Sequence, residues 1–246
     1  MSDDDRVRTG HEEDAALDGG RWNEIAVQLT DVARALHDQD NPQDTLDEIV
    51  RSAVALIPGA RHAGIMMVLG RQEVRTVAGD DDIVGKVDQA QYETSQGPCL
   101  DALYEHKTVS MPDLAAEGRW PAFTERARAL GVASMLSFQL FVTERDLGAL
   151  NLYSAEQHGF DDESEQVGLM FAAHAAVALS NAQQQQQLGR AVHTRDIIGQ
   201  AKGILMERYK INAEQAFTLL VRTSQHANVR LRELAEKLVQ TGELTI

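Results

Sequence analysis

The sequence predicts an α+β domain, an antiparallel sheet packed with helices, followed by a long connecting helix and an all-α three-helix module. Three observations predict it. Apolar runs of strand length come in pairs through the middle of the chain, no proline interrupts a helical stretch from Asp161 to about Tyr209, and two short amphipathic segments close the chain.

Residues 1–20 are acidic, contain three glycines and show no apolar stripe, so they read as a disordered leader. From Trp22 the pattern turns helical, with Trp22, Ile25, Leu29, Val32 and Leu36 at three- and four-residue spacing until the polar run before Pro42. A second amphipathic helix carries Leu46, Ile49, Val50, Ala53 and Leu56 on one side and stops at Pro58-Gly59. His62–Leu69 and Glu73–Ala78 read as two strands joined by a turn at Gly70-Arg71-Gln72. Helical segments follow near Leu100–Glu105 and Pro121–Leu130, with a short strand over Thr108–Met111 between them. Met135–Val142 and Ala149–Tyr153 make a second strand pair around the turn Thr143-Glu144-Arg145-Asp146.

Asp161-Asp162-Glu163 is a good acidic helix start. The helix it opens, unbroken to Tyr209, would span about 47 residues or roughly 70 Å, a length that reads as a connector. Gly168, Gly189, Gly199 and Gly203 are its weak points, and Gln183–Gln187 read as a solvated stretch leaving the first domain. Asn212 and Gln215 suggest a capping box for the next helix, and Asn228 a cap for the last, which runs to about Gln240.

The totals bound the function. Of 246 residues, 43% are hydrophobic and 25% charged, ordinary for a globular protein. No apolar stretch reaches membrane-spanning length, and the acidic N-terminus is unlike a signal peptide, so a cytoplasmic location without membrane association is expected. A single cysteine, Cys99, excludes an internal disulfide. The net charge of −15 argues against a polyanionic partner, but it is unevenly spread. From Val192 to Ile246, eight Lys/Arg against six Asp/Glu give +2, leaving −17 on the rest. Binding a nucleic acid requires only a local basic face.

The segment Ile197–Arg208, centred on Ala201-Lys202-Gly203, with Ala216-Phe217, Leu220, Ser224, Asn228, Leu231, Ala235 and Val239 beyond it, resembles the ANTAR family of RNA-binding antiterminator modules. The resemblance covers about Arg195 to Gln240 and implies a partner RNA carrying paired hairpin loops in a leader transcript. It carries Ala201, Lys202, Gly203 and Arg230 to the RNA face. Arg208, Arg222 and Arg232 are further candidates, since a guanidinium can grip phosphate or guanine, or stack on an unpaired base. Gly203 has an alternative role in close helix packing, Tyr209 is a stacking candidate, and Phe217 is expected in the core.

The stretch from about Thr45 to Ala182 looks like a GAF domain, carried by Gly97-Pro-Cys-Leu-Asp-Ala-Leu103, Ala133–Leu140, Leu147–Tyr153 and Phe160–Ser164. That likeness implies a sensory pocket for a small molecule whose identity the sequence leaves unknown. Cys99 is a ligand or redox candidate if its thiolate is stabilised, and otherwise a small buried hydrophobe. His106 and His174 are the histidines to consider as haem ligands. The division is then a leader over 1–20, an N-terminal helix over 21–40, the GAF domain over 42–182, a connector over 183–194 and the ANTAR module over 195–246.

Trp22, Ile25 and Leu29 on the first helix, with Val167, Met170, His174, Val177 and Asn181 on the long one, are candidates for a homodimer interface built as a helical bundle. No catalytic constellation or metal-ligand spacing appears, so no enzymatic activity is expected. Two alternatives remain for the C-terminal module: a DNA-binding helix-turn-helix, or a protein-interaction device without nucleic acid.

Overall fold

The computed structural model describes residues 3–39, 41–69, 73–99, 108–141 and 147–244. They divide into two units, Met1–Gln183 and Gln184–Ile246. The expected turns at Gly70–Gln72 and Thr143–Asp146, the helix near Leu100–Glu105 and His106 lie outside the described residues.

The first unit opens with helix α1 (Asp3–His37). Helical backbone therefore begins well before Trp22, where the sequence predicted a disordered leader. No proline interrupts the stretch from Asp3 to His37, so nothing in the sequence breaks the helix there. Helix α2 (Pro42–Leu56) begins at Asn41, whose side chain accepts from the backbone N–H groups of Gln43 and Asp44, with Pro42 in the first turn. Then come β1 (His62–Leu69) and β2 (Glu73–Gly79). Helix α3 (Asp82–Thr94), capped by Asp81, was not foreseen. Strand β3 (Val109–Met111), helix α4 (Pro121–Ala129) and strands β4 (Ser134–Phe141) and β5 (Leu147–Ser154) follow.

The five strands form one antiparallel sheet in the order β2-β1-β5-β4-β3. Alternation along each strand divides its side chains between two cores. Ile65, Leu136, Phe138, Leu150 and Leu152 pack with α1, α2 and the start of the long helix α5 (Asp162–Tyr209). Met66, Met135, Ala149 and Tyr153 face the other way, towards Val84 and Val87 of α3 and Phe123 and Ala127 of α4.

Helix α5 runs 48 residues without a break, a continuity that the sequence left open. Asp161 holds its first turn, accepting from the backbone N–H and the hydroxyl of Ser164. Its side chains near the start, Val167, Phe171, Ala172, Ala175 and Leu179, are buried in the first unit. Residues 184–193 are exposed without exception, and Ala201 and Leu205 are buried again, in the second unit.

The second unit joins the end of α5 to α6 (Ala213–Ala227) and α7 (Leu231–Thr241). Asn212 and Gln215 form the expected capping box. Asn228 does not cap α7. It adopts the left-handed conformation that ends α6, and Arg230 holds the N-cap position of α7. Ala201, Leu205, Ala216, Leu220, Leu234, Ala235 and Leu238 make the three-helix core.

Candidate functional site

The second unit carries a groove of about 650 Å³ between the C-terminal part of α5 and the start of α6. Arg190, Thr194, Arg195, Ile198 and Lys202 line it from α5, at spacings that bring them to one helix face. Phe217 of α6 closes the other side, with Lys202 Nζ 6.0 Å from the centre of its ring. A Cβ added to Gly199, on the groove wall, would meet nothing within 4 Å, so the helix backbone is open to a ligand there. Three of the lining side chains are cationic and none is acidic.

The cations of this unit differ in their commitments. Arg208 donates to the carbonyl of Gly242, and Arg232 pairs with Glu236 at 2.7 Å. Lys210 pairs with Glu207. Arg190, Arg195, Arg222 and Arg230 are exposed and make no ion pair among the described residues, and the ammonium of Lys202 faces only the Phe217 ring. Two of the expected RNA-face arginines, Arg208 and Arg232, are thus engaged within the chain, while Lys202, Arg222 and Arg230 are available.

Two neighbours of Lys202 differ from expectation. Ala201 is fully buried against the other two helices, so its small side chain serves helix packing. Gly203 is exposed with open space where a Cβ would stand, so close helix packing does not require it. Phe217, expected in the core, is 42% exposed, while its neighbour Ala216 takes the core position. Tyr209 is also exposed.

In the first unit a polar cluster is buried between the sheet and α3. Asp88 accepts from the Thr76 hydroxyl at 2.6 Å, the Tyr153 hydroxyl at 2.6 Å and the Gln91 amide at 3.3 Å. Burial pushes its carboxyl up to about 6 against the pull of these three donors. Gln91 in turn accepts from the backbone N–H of Cys99 at 3.1 Å. Cys99 is fully buried, and its thiol is raised well above the ordinary range, first by burial and then by Asp88. It is held as a neutral thiol beside Ser137, the opposite of a reactive thiolate. Gly97 keeps this arrangement close, because its φ is +145° and a Cβ there would lie 2.1 Å from Gln91 Oε1. Asn151 is fully buried with its carboxamide near the Tyr153 hydroxyl, and neither of its polar atoms makes a hydrogen bond of normal geometry among the described residues.

Sequence reasoning missed Asp88, Gln91, Asn151 and the role of Phe217. The signal for α3 was present in Asp81 as cap with Val84, Val87 and Gln91 at helical spacing. The proposed dimer residues also divide. Ile25, Leu29 and Val167 are buried in the chain's own core, and Trp22 and Met170 are packed against it, so these serve the fold of one chain. His174, Val177 and Asn181 are exposed, Val177 at 53%, and His174 hydrogen-bonds the carbonyl of Met170. Among the described residues no helix is long and apolar enough to cross a membrane, and no group of three His, Cys, Asp or Glu could hold a metal ion.

Comparison with known proteins bears on both units. The GAF domain family matches residues 39–180, and the ANTAR domain family matches residues 186–239. No curated protein matches the sequence. Among solved structures, the chain is similar to the GAF domain of a phosphoenolpyruvate-protein phosphotransferase from Coxiella burnetii, at 16% identity and a TM-score of 0.52. That match covers 66% of this chain and 96% of the other. It is also similar to the GAF domain of the corresponding Acinetobacter protein, at 14% identity, a TM-score of 0.52 and the same shares of the two chains. The photosensory core module of a Stigmatella aurantiaca phytochrome matches with a TM-score of 0.57 at 11% identity, over 82% of this chain and 44% of that one. At these identities the likeness is one of fold.

Proposed function

Because the chain belongs to the GAF domain family and ends in an ANTAR domain, we propose that it is a cytoplasmic transcription antitermination regulator without enzymatic activity, binding hairpin loops of nascent RNA under control of its sensory domain. The observation that carries this reading is the groove of the second unit. On a chain of net charge −15, it gathers Arg190, Arg195 and Lys202 with no carboxylate in its lining. RNA readers of sequence work mainly on splayed loops, where such a surface can meet phosphate and base together.

The input is proposed to act through the polar cluster around Asp88, where the buried Asn151 carboxamide, without a hydrogen bond of normal geometry among the described residues, would meet a small molecule. A homodimer is proposed to present two modules to two loops, which raises the effective concentration of the second contact. Leu169, Val177, Leu188 and Val192 support it as exposed apolar side chains on α5. The signal would then shift the register of the paired helices and alter how the modules are presented. Couplings of this type are about 1–3 kcal/mol.

The test is binding of the full-length protein to an RNA with two short hairpins, selected from a pool with randomised loops, against loop-scrambled RNA and duplex DNA. Selective binding is expected. Lys202→Ala and Arg195→Ala should each weaken it and lower the slope of log affinity against log salt by about one. Equal affinity for scrambled RNA and duplex DNA would reject the reading.

A further inference from the structure

Phe217 occupies an unusual place for a phenylalanine in a small helical module. Its helix turns Ala216 and Leu220 into the core, both fully buried, while Phe217 stands at the edge of that stripe with 42% of its surface exposed. Nothing polar on the ring explains an exposed position, and burying the rest of it would be favourable. Instead the ring forms one wall of the groove, opposite the free cations of α5. The Lys202 ammonium lies over the ring at 6.0 Å from its centre, as a cation above a π-face that a base could share or displace, and the backbone at Gly199 in the same groove is open.

We propose that Phe217 is the stacking platform for one unpaired nucleobase of the bound RNA. Resting on the RNA reading above, this inference names the chemistry of its groove. A π-face accepts any base, while a base stacked there brings its 5′ and 3′ phosphates within reach of long cationic side chains. Lys202 stands on one side of the slot, with Arg195 about two helical turns earlier on α5 and Arg190 further along. The aromatic wall and the cationic lining are therefore two halves of one nucleotide-sized site. An apolar peptide would use the ring but leave three cations without partners. A duplex would meet the cations but has no free base to stack. The groove suits a single-stranded nucleotide better than either.

The experiment is a double-mutant cycle on the full-length protein and the selected two-hairpin RNA. Phe217→Leu keeps an apolar side chain and, at an exposed position, should leave the far-UV helical signal unchanged. Removing one stacking partner is expected to weaken binding roughly five- to hundredfold, while Phe217→Tyr and Phe217→Trp retain it. Abasic sites placed at each loop position in turn should reveal one position whose loss weakens the wild type but adds nothing to Phe217→Leu. Wild-type affinity in Phe217→Leu, or losses that add at every loop position, would overturn the slot while leaving the RNA reading standing. If the wild type selects no RNA at all, both fall together.

Discussion

Asp88 is a carboxyl without a cationic partner in the described interior, and its environment sets how the first unit should respond to acid. Its ordinary value of 3.8 applies to the unfolded chain, and burial raises the folded value to about 6. The folded state therefore keeps a proton that the unfolded state has already released. The stability contributed is full below about 3.8 and lost as the pH rises through 6, by roughly 3 kcal/mol for a shift of this size. Asp88→Asn, which keeps the shape and removes the titration, is expected to flatten that part of the pH profile. Urea unfolding at pH 4 and pH 7 measures it, and an undiminished difference between the two would count against Asp88. Tyr92, Tyr153 and Cys99, its titratable neighbours, are all shifted towards their neutral forms and stay uncharged across this window. None of this was legible in the sequence. Asp88 follows Asp80-Asp81-Asp82 and looks like another solvated acid, and only the sheet beneath α3 supplies the hydroxyls of Thr76 and Tyr153 that hold it inside.

Among elements, α5 was the most legible and α6 the least. A proline-free run with an acidic start and alternating burial is hard to read as anything but helix. In α6, Ala216, Phe217, Leu219, Leu220 and Val221 crowd apolar residues around most of the circumference, so periodicity alone cannot say which of them faces inwards. The turn after β1 and the segment after Cys99 stay outside comparison. The glycines of α5 make a test at this scale, because one letter plays opposite parts. A Cβ on Gly168 would stand 2.3 Å from the ring of Phe138, whereas one on Gly189 would meet nothing. Gly168→Ala is expected to destabilise the first unit by about 1–3 kcal/mol through overpacking. Gly189→Ala should stabilise the helix by about 1 kcal/mol, the ordinary difference in helix propensity. Thermal unfolding of both variants checks the signs, and equal effects would mean that α5 does not approach β4 as described.

For the whole molecule, the GAF and ANTAR assignments rested on short motifs whose residues turn out to have very different duties. Lys202 lies on the surface groove, Ala201 beside it is core, and Cys99 is a buried neighbour of Gln91. Motif spacing identifies a fold because it records packing, and for that reason it does not separate packing residues from binding ones. The proposed dimer residues show the same limit, since the stripe that marks Ile25 and Leu29 as apolar is equally the stripe of a monomer core.

The ten consecutive exposed residues 184–193 of α5 have a kinetic consequence. Their amides are hydrogen-bonded within the helix but sheltered by nothing outside it, and an unsupported helical stretch of this length is marginal in water. Deuterium should enter there soonest of anywhere within α5, making a transient fuse midway along the longest element. Leu188 and Val192, 67% and 61% exposed, are the side chains a second copy would cover. Uptake over 184–193 that slows as protein concentration rises would report the helices pairing. Uptake indifferent to concentration would leave the fuse open in every chain, and a break there could uncouple sensing from output without unfolding either unit.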